Sequence, residues 1–357
     1  MSSYAPGHFG GIDALGGWSR VLGRLMAGES LSGDEAAIAL ADIFEGNATS
    51  AQIAAFAVGL RMKGETVEEM AGMVRAMLSF APPVVLPVEV ARLVVDTCGT
   101  GGDRSSTINV STIAAFVVAG AGVPVCKHGN RAASSQSGSA DVLEALGVAI
   151  DLGAEGVALC VAEAGMGFCF APKFHAASRH AVPTRRELGV PTVFNYLGPL
   201  ANPARPKRQV VGVSDPRMAE KMLGVLVANG ATHAMVVYGS DGLDELTTTG
   251  PSTIHQMLDG QATAVTVAPS DFGLAVSDRS SLVGGDAATN ASAARRVLDG
   301  THGPQRDIVI LNAAAGLVVA GLVPSMVAGV SAAAASIDSG AAAGVLSRLV
   351  EVSQSAA

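Results

Sequence analysis

Charge is scarce in this chain, and the little there is leans acidic. Only 15% of the residues are charged, with 23 Lys and Arg against 31 Asp and Glu, for a formal net charge of -8. That balance excludes the extended basic face that nucleic-acid binding needs. Any affinity for phosphate must therefore be local, built from a few cations and backbone donors. Cysteine is equally sparse: Cys98, Cys126, Cys160 and Cys169 form no CxxC pair and sit in apolar segments. Neither a disulfide framework nor a zinc site is expected, and a reduced, cytoplasmic compartment fits. The first residues lack a basic stretch followed by an apolar one, so no secretory signal is read there. The longest charge-free run, Ile308 to Ile337, is rich in Ala and Gly and interrupted by Asn312 and Pro324. It reads as two buried helices around a turn rather than a membrane span.

What is present is apolar bulk and glycine. With 49% hydrophobic residues over 357 positions, the chain can bury a large core as one large domain or two unequal ones. Residues 1–82 read as a helical unit. Three capping boxes recur, at Ser32/Glu35, Thr49/Gln52 and Thr66/Glu69, each before a helical apolar stripe. An earlier helix around Trp18, Leu22 and Leu25 makes about four, and nothing among them looks catalytic. Pro82, Pro83 and Pro87 mark a linker.

From residue 90 to 357 the pattern becomes strand–helix alternation. Strands are predicted at Leu93–Val95, Val123–Cys126, Gly167–Phe170, Gln209–Val213, Ala234–Tyr238 and Ser252–Met257, with helices near 109–120, 139–146, 216–229 and 286–299. The expected fold is α/β with a small all-α domain, its central sheet largely parallel and flanked by helices. Ligands of such sheets lie beyond the carboxyl ends of the strands. That rule places Gly99–Asp103, Lys127–Asn130 and Gly239–Glu245 on one rim.

Four motifs carry chemistry. Gly99-Thr-Gly-Gly-Asp103, ahead of a helix opening at Asn109, has no bulky side chains, so backbone N–H groups and a helix N-terminus can meet phosphate oxygens. Ser111 and Thr112 add hydroxyls. Lys127-His-Gly-Asn-Arg131, with Ser134-Ser-Gln-Ser-Gly138 behind it, offers charge-assisted donors to a polyanion. His128 fits either a polar contact to an aromatic substrate or a loop histidine bonded to backbone. Asp244 and Glu245 are adjacent carboxylates that suit Mg²⁺ shared with substrate phosphates, or else a solvated acidic turn. Arg185 can hold a carboxylate bidentately, or lie with Arg179 on a solvated face.

Taken together, G-T-G-G-D, N-x-S-T, K-H-G-N-R, S-G-S-A-D, R-R-E-L-G, L-G-P-L-x-N-P and D-G-L-D-E resemble the anthranilate phosphoribosyltransferase family. The resemblance runs from G-E-S-L-S and L-R-M-K-G-E-T in the helical part to about residue 320. It implies a nucleoside phosphorylase/phosphoribosyltransferase-like fold, a segment near 175–190 returning to the helical domain, and a homodimer formed through the helical part. It also implies transfer of phosphoribose from 5-phosphoribosyl 1-diphosphate to anthranilate with Mg²⁺, a step of tryptophan biosynthesis. Carried over by position, Gly99, Thr100, Gly101, Gly102 and Asp103 would hold the diphosphate, with Thr107, Asn109, Ser111, Thr112, Lys127, Ser135 and Ser139 continuing the cradle. Ser111, Asp244 and Glu245 would hold the metal. Gly99, His128, Asn130, Arg185, Gly198 and Pro199 would surround anthranilate. Lys127, Asn130 and Arg185 are the expected catalytic set, Lys127 aimed at the leaving diphosphate and the other two at the acceptor. Arg104, where many members carry Gly, and Ser178, where relatives carry a larger residue, depart from the pattern. Transfer to another aromatic amine and phosphorolysis of a pyrimidine nucleoside are the competing reactions. A non-enzymatic nucleic-acid-binding relative would need a basic groove.

Overall fold

The computed structural model describes residues 9–103, 105–132 and 136–357; the expectations for Arg104, Ser134 and Ser135 fall outside them. The helical part is α1 (Gly17–Met26), α2 (Gly33–Phe44), α3 (Ser50–Lys63) and α4 (Val67–Ser79). All three capping boxes form, with Ser32, Thr49 and Thr66 each accepting from the N3 backbone and receiving its side chain in return. Each such cap stabilises its helix by about 1 kcal/mol. Glu69 does more than cap. Fully buried, it also accepts from Leu31 N at 2.9 Å and pairs with Lys63 at 2.9 Å, tying α2's approach to α3 and α4.

A single helical turn, α5 (Val88–Ala91), leads into a seven-stranded sheet of order β3-β2-β1-β4-β5-β6-β7. The strands are β1 (Val95–Gly99), β2 (Val125–Gly129), β3 (Met166–Phe170), β4 (Arg208–Gly212), β5 (His233–Gly239), β6 (Ser252–Leu258) and β7 (Gln261–Val267). The first five run parallel, and β6 alone runs against them, pairing antiparallel with both β5 and β7. Two expectations need correction. β7 was not anticipated: its Gln-Ala-Thr-Ala-Val-Thr-Val sequence is solvent-exposed over six of its seven residues and carries no core signal. β1 and β2 lie further along the chain than their β-branched runs, so Lys127 and His128 are strand residues and not loop residues. The polar strand ends are tolerated because they satisfy one another: Asp96 Oδ1 accepts from His128 N at 3.1 Å, and Thr97 Oγ1 donates to Ser111 O at 3.2 Å.

Helices cover both faces. α6 (Val110–Gly120), α7 (Ser139–Ala145) and α8 (Ala154–Ala164) share one core with α13 (Ala287–Leu298), α14 (Pro304–Ala320), α15 (Met326–Asp338) and α16 (Ala341–Ser355). The charge-free run is thus two helices around a turn, and among the described residues no single helix is long and apolar enough to cross a membrane. The short α9 (Ala171–Phe174) and α10 (Val182–Leu188) are followed by α11 (Phe194–Leu200) and α12 (Ala219–Ala228). A second core runs without a break from Phe56, Met70 and Met73 through Leu197 and Met222 to Val236 of the sheet. The helical part therefore caps the other sheet face, α4 lying on α12 and α10 on α3.

Candidate active site

Strand order reverses between β1 and β4: from β1 the chain crosses to β2 on one side, and β4 lies on the other. A crevice opens at such a switch point, outside the carboxyl ends. There Gly99 pairs with Gly212, and Asp244 from the loop after β5 lies across both. A Cβ on Gly99 would overlap the Asp244 carboxylate, and one on Gly212 would overlap its backbone carbonyl. Glycine at both strand ends is what lets the acidic loop reach the glycine turn. Gly101 N donates to Asp244 Oδ2 at 2.7 Å, Thr100 N to Gly212 O at 3.0 Å, and Ser111 N to Glu245 Oε1 at 3.1 Å. Gly101 and Gly102 take left-handed φ values of 67° and 80°, which favour glycine.

Lys127 rises from β2 beneath this assembly, 2% exposed, its Nζ bonded to Thr97 O and 3.4 Å from Ser111 Oγ. Burial first, and then the Asp103 carboxylate, pushes Asp244 up to about 6. Burial and then Asp244 push Glu245 up to about 8, with Lys127 pulling the other way. Two desolvated carboxylates and a serine hydroxyl form an all-oxygen donor set that suits a hard cation. Among the described residues no three His, Cys, Asp or Glu side chains make a self-sufficient metal cage. That fits Mg²⁺, which takes one or two carboxylates and completes its shell with substrate oxygens and water.

The acceptor side is built on β2 and α11. His128 donates from Nδ1 to Gly198 O at 3.1 Å, since a carbonyl can only accept, and this leaves Nε2 bare, buried and without a partner. Its ring meets His175 edge-on at 5.0 Å. Burial, with His175 next, holds the His128 pKa well below the usual value, so the ring is neutral. One His128 nitrogen thus serves the backbone, and the other remains an acceptor. Arg185 on α10 is partly buried, with its guanidinium 5.6 Å from the Phe194 ring centre. Among the described residues it has no anionic partner, and burial alone lowers its pKa. A desolvated, unpaired cation over an aromatic face is a ready carboxylate receptor. Asn130 is exposed, and its Oδ1 takes Arg131 N at 2.7 Å.

Other expected residues are already engaged. Asn109 bridges Ser137 O at 3.1 Å and Asn290 Nδ2 at 2.8 Å. The Thr107 hydroxyl meets Ser105 at 3.2 Å, Ser139 donates to Asn130 O at 3.2 Å, and Thr112 is buried. Pro199 uses its carbonyl on Cys98 and Gln209, both at 3.5 Å. Sequence reasoning missed Asp96 and Asn202. Asn202 Nδ2 donates to Asp96 Oδ2 and to Cys126 O, both at 2.8 Å, fixing β1 and β2 beneath the site. Asn202 lies inside the L-G-P-L-x-N-P motif, so a signal for it was present; Asp96 had none beyond its place before the glycine turn.

Residues 91–343 match the glycosyl transferase family a/b domain, and residues 19–81 its helical bundle domain. An anthranilate phosphoribosyltransferase of Salinispora arenicola is 51% identical over 340 residues, covering 94% of this chain and 96% of the relative. The Rhodococcus jostii protein of that name is 51% identical over 358 residues, covering 99% and 98%. The chain belongs to the anthranilate phosphoribosyltransferase family. Within that family, the Thermus thermophilus crystal structure superposes with a TM-score of 0.88 at 41% identity, covering 93% of this chain and 99% of that one. The Saccharomyces cerevisiae anthranilate phosphoribosyltransferase, solved in complex with 5-phosphoribosyl 1-diphosphate and Mg, gives 0.85 at 28% identity over 95% and 98%.

Proposed function

We infer that this enzyme transfers the phosphoribosyl group of 5-phosphoribosyl 1-diphosphate to the amine of anthranilate, releasing pyrophosphate, in tryptophan biosynthesis. The observation that carries the reading is Asp244 seated across Gly99 and Gly212, which brings the glycine turn, Ser111, Lys127 and Glu245 to one crevice. Asp244, Glu245 and Ser111 would hold Mg²⁺, which supplies neutralising charge on the diphosphate.

The rest falls to the chain's own groups. As the C1–O bond breaks, its electron pair leaves with pyrophosphate and positive charge grows on the ribose. Backbone N–H groups of the glycine turn and Lys127 stabilise the departing oxygens. Arg185 takes the anthranilate carboxylate and so aims the amine at C1, with Asn130 and the bare His128 Nε2 beside it. The amine nitrogen forms the new C–N bond and then sheds a proton. An aryl ammonium is acidic at neutral pH, so no general base is required. Assembly as a homodimer through the helical part is proposed from family membership, supported by Met26 and Met62, which stand 87% and 83% exposed on α1 and α3. Residues 1–82, with the returning stretch that packs α10 on α3, and residues 90–357 are proposed as the two domains. The direct test follows anthranilate fluorescence on adding 5-phosphoribosyl 1-diphosphate and Mg²⁺. Persisting fluorescence with phosphorolysis of thymidine would favour the nucleoside phosphorylase reading instead.

A further inference from the structure

The L-R-M-K-G-E-T stretch at the end of α3 has no part in the site as described, yet Arg61 within it reaches toward both halves of that site. Its Nη2 donates to Asp215 Oδ2 at 3.0 Å, and its guanidinium lies 5.7 Å from the Tyr196 ring centre. Asp215 follows Ser214, whose Oγ donates to Gly101 O at 3.1 Å and whose N donates to Thr100 Oγ1 at 3.3 Å. Ser214 thus braces the diphosphate loop from the end of β4, and its neighbour Asp215 is held by Arg61 together with Arg217, whose Nε and Nη2 donate to Asp215 Oδ1 and Oδ2, both at 2.9 Å. Tyr196 sits on α11, the helix that presents Gly198 O to His128 and Phe194 to Arg185. Arg61 itself sits on α3, against which α10 packs with Arg185.

We propose that Arg61 is a positioning residue that couples the diphosphate loop to the anthranilate subsite. Its guanidinium serves the two sides by different chemistry. The Asp215 side needs positive charge, and the Tyr196 side needs a flat cation that stacks. Lysine preserves the first and loses the second, which makes the two effects separable.

The inference rests on the proposed transferase activity, so wild-type enzyme is assayed in parallel. Arg61→Met, melting within about 3 °C of wild type, should raise the KM for both 5-phosphoribosyl 1-diphosphate and anthranilate by about fivefold or more. Arg61→Lys should recover the diphosphate KM and leave the anthranilate KM raised. A purely structural arginine would not give that split. Should Arg61→Met fail to fold, Asp215→Asn decides: the stack on Tyr196 is kept, and the diphosphate KM alone should rise. Unchanged KM values in a folded Arg61→Met, or in Asp215→Asn where that variant decides, overturn the coupling while wild-type turnover leaves the function standing. Absence of wild-type turnover would overturn the function, and this inference with it.

Discussion

Asp244 accepts the backbone N–H of Gly101 at 2.7 Å, so the acidic loop after β5 is a structural partner of the glycine turn after β1. The groups proposed to hold a diphosphate and those proposed to hold its cation are joined by this contact, and disturbing either should disturb both.

Gly212→Ala tests that linkage away from every substrate-touching side chain. A methyl there would overlap the Asp244 backbone carbonyl, and overpacking of this kind costs about 1–3 kcal/mol. The expected outcome is a lower melting temperature together with weaker Mg²⁺-dependent binding of pyrophosphate by calorimetry. A variant that melts lower but binds pyrophosphate as wild type would separate the two.

The raised carboxylates give the metal-free protein an unusual pH dependence. Asp244 and Glu245 have folded-state pKa values of about 6 and about 8, above their ordinary values. Folding therefore favours their protonated forms. This stability is fully present below the ordinary carboxylate range and is lost as pH rises through about 6 and then about 8. Denaturant melts in EDTA should show it falling across that window, and Glu245→Gln should flatten the upper part. Mg²⁺ with pyrophosphate should restore wild-type stability at pH 8, and a melt indifferent to them would argue against the cation site.

Arg185→Gln should act on one substrate. A charge-assisted hydrogen bond contributes about 1.5–3 kcal/mol, so the anthranilate KM should rise roughly ten- to a hundredfold while the diphosphate KM stays near wild type. Steady-state kinetics with each substrate varied in turn reads this directly, and an unchanged anthranilate KM would remove Arg185 from the acceptor subsite.

His175 works in the opposite pH direction. Burial holds its pKa down to about 4, with Ala201 O accepting from its Nε2. A base whose folded pKa is depressed adds nothing above its ordinary value and costs stability as pH falls toward 4. As pH falls from 6.5 to 4, His175→Gln should gain stability relative to wild type, the carboxylate contribution being common to both; parallel pH profiles by circular dichroism would exclude His175 as a source.

Lys127→Met removes the cation that acts on Asp96 and Glu245 and donates to Thr97 O. Leaving a buried acceptor unsatisfied costs about 1–3 kcal/mol, so the variant should be less stable even without substrate. Equilibrium unfolding in urea measures the loss, and a wild-type midpoint would mean that Lys127 serves the ligand alone.

Local signals were readable in the chain itself. Ser32, Thr49 and Thr66 announced their helices because a capping box is contained within four consecutive residues, and Gly99 through Asp103 announced a tight turn because glycine's backbone freedom is its own property. Periodicity likewise separated the helical part from the strand–helix part. What no run of residues contained was which polar groups would meet. Asp96 and Lys127 extend strands beyond their apolar runs only because each finds a partner on another strand. Arg185 became a candidate receptor because folding buried it over Phe194, and Asp244 rose in pKa because Gly99 and Gly212 let it press into the crevice. Burial, desolvation and the pairing of distant groups are properties of the packed whole, and those decided the site.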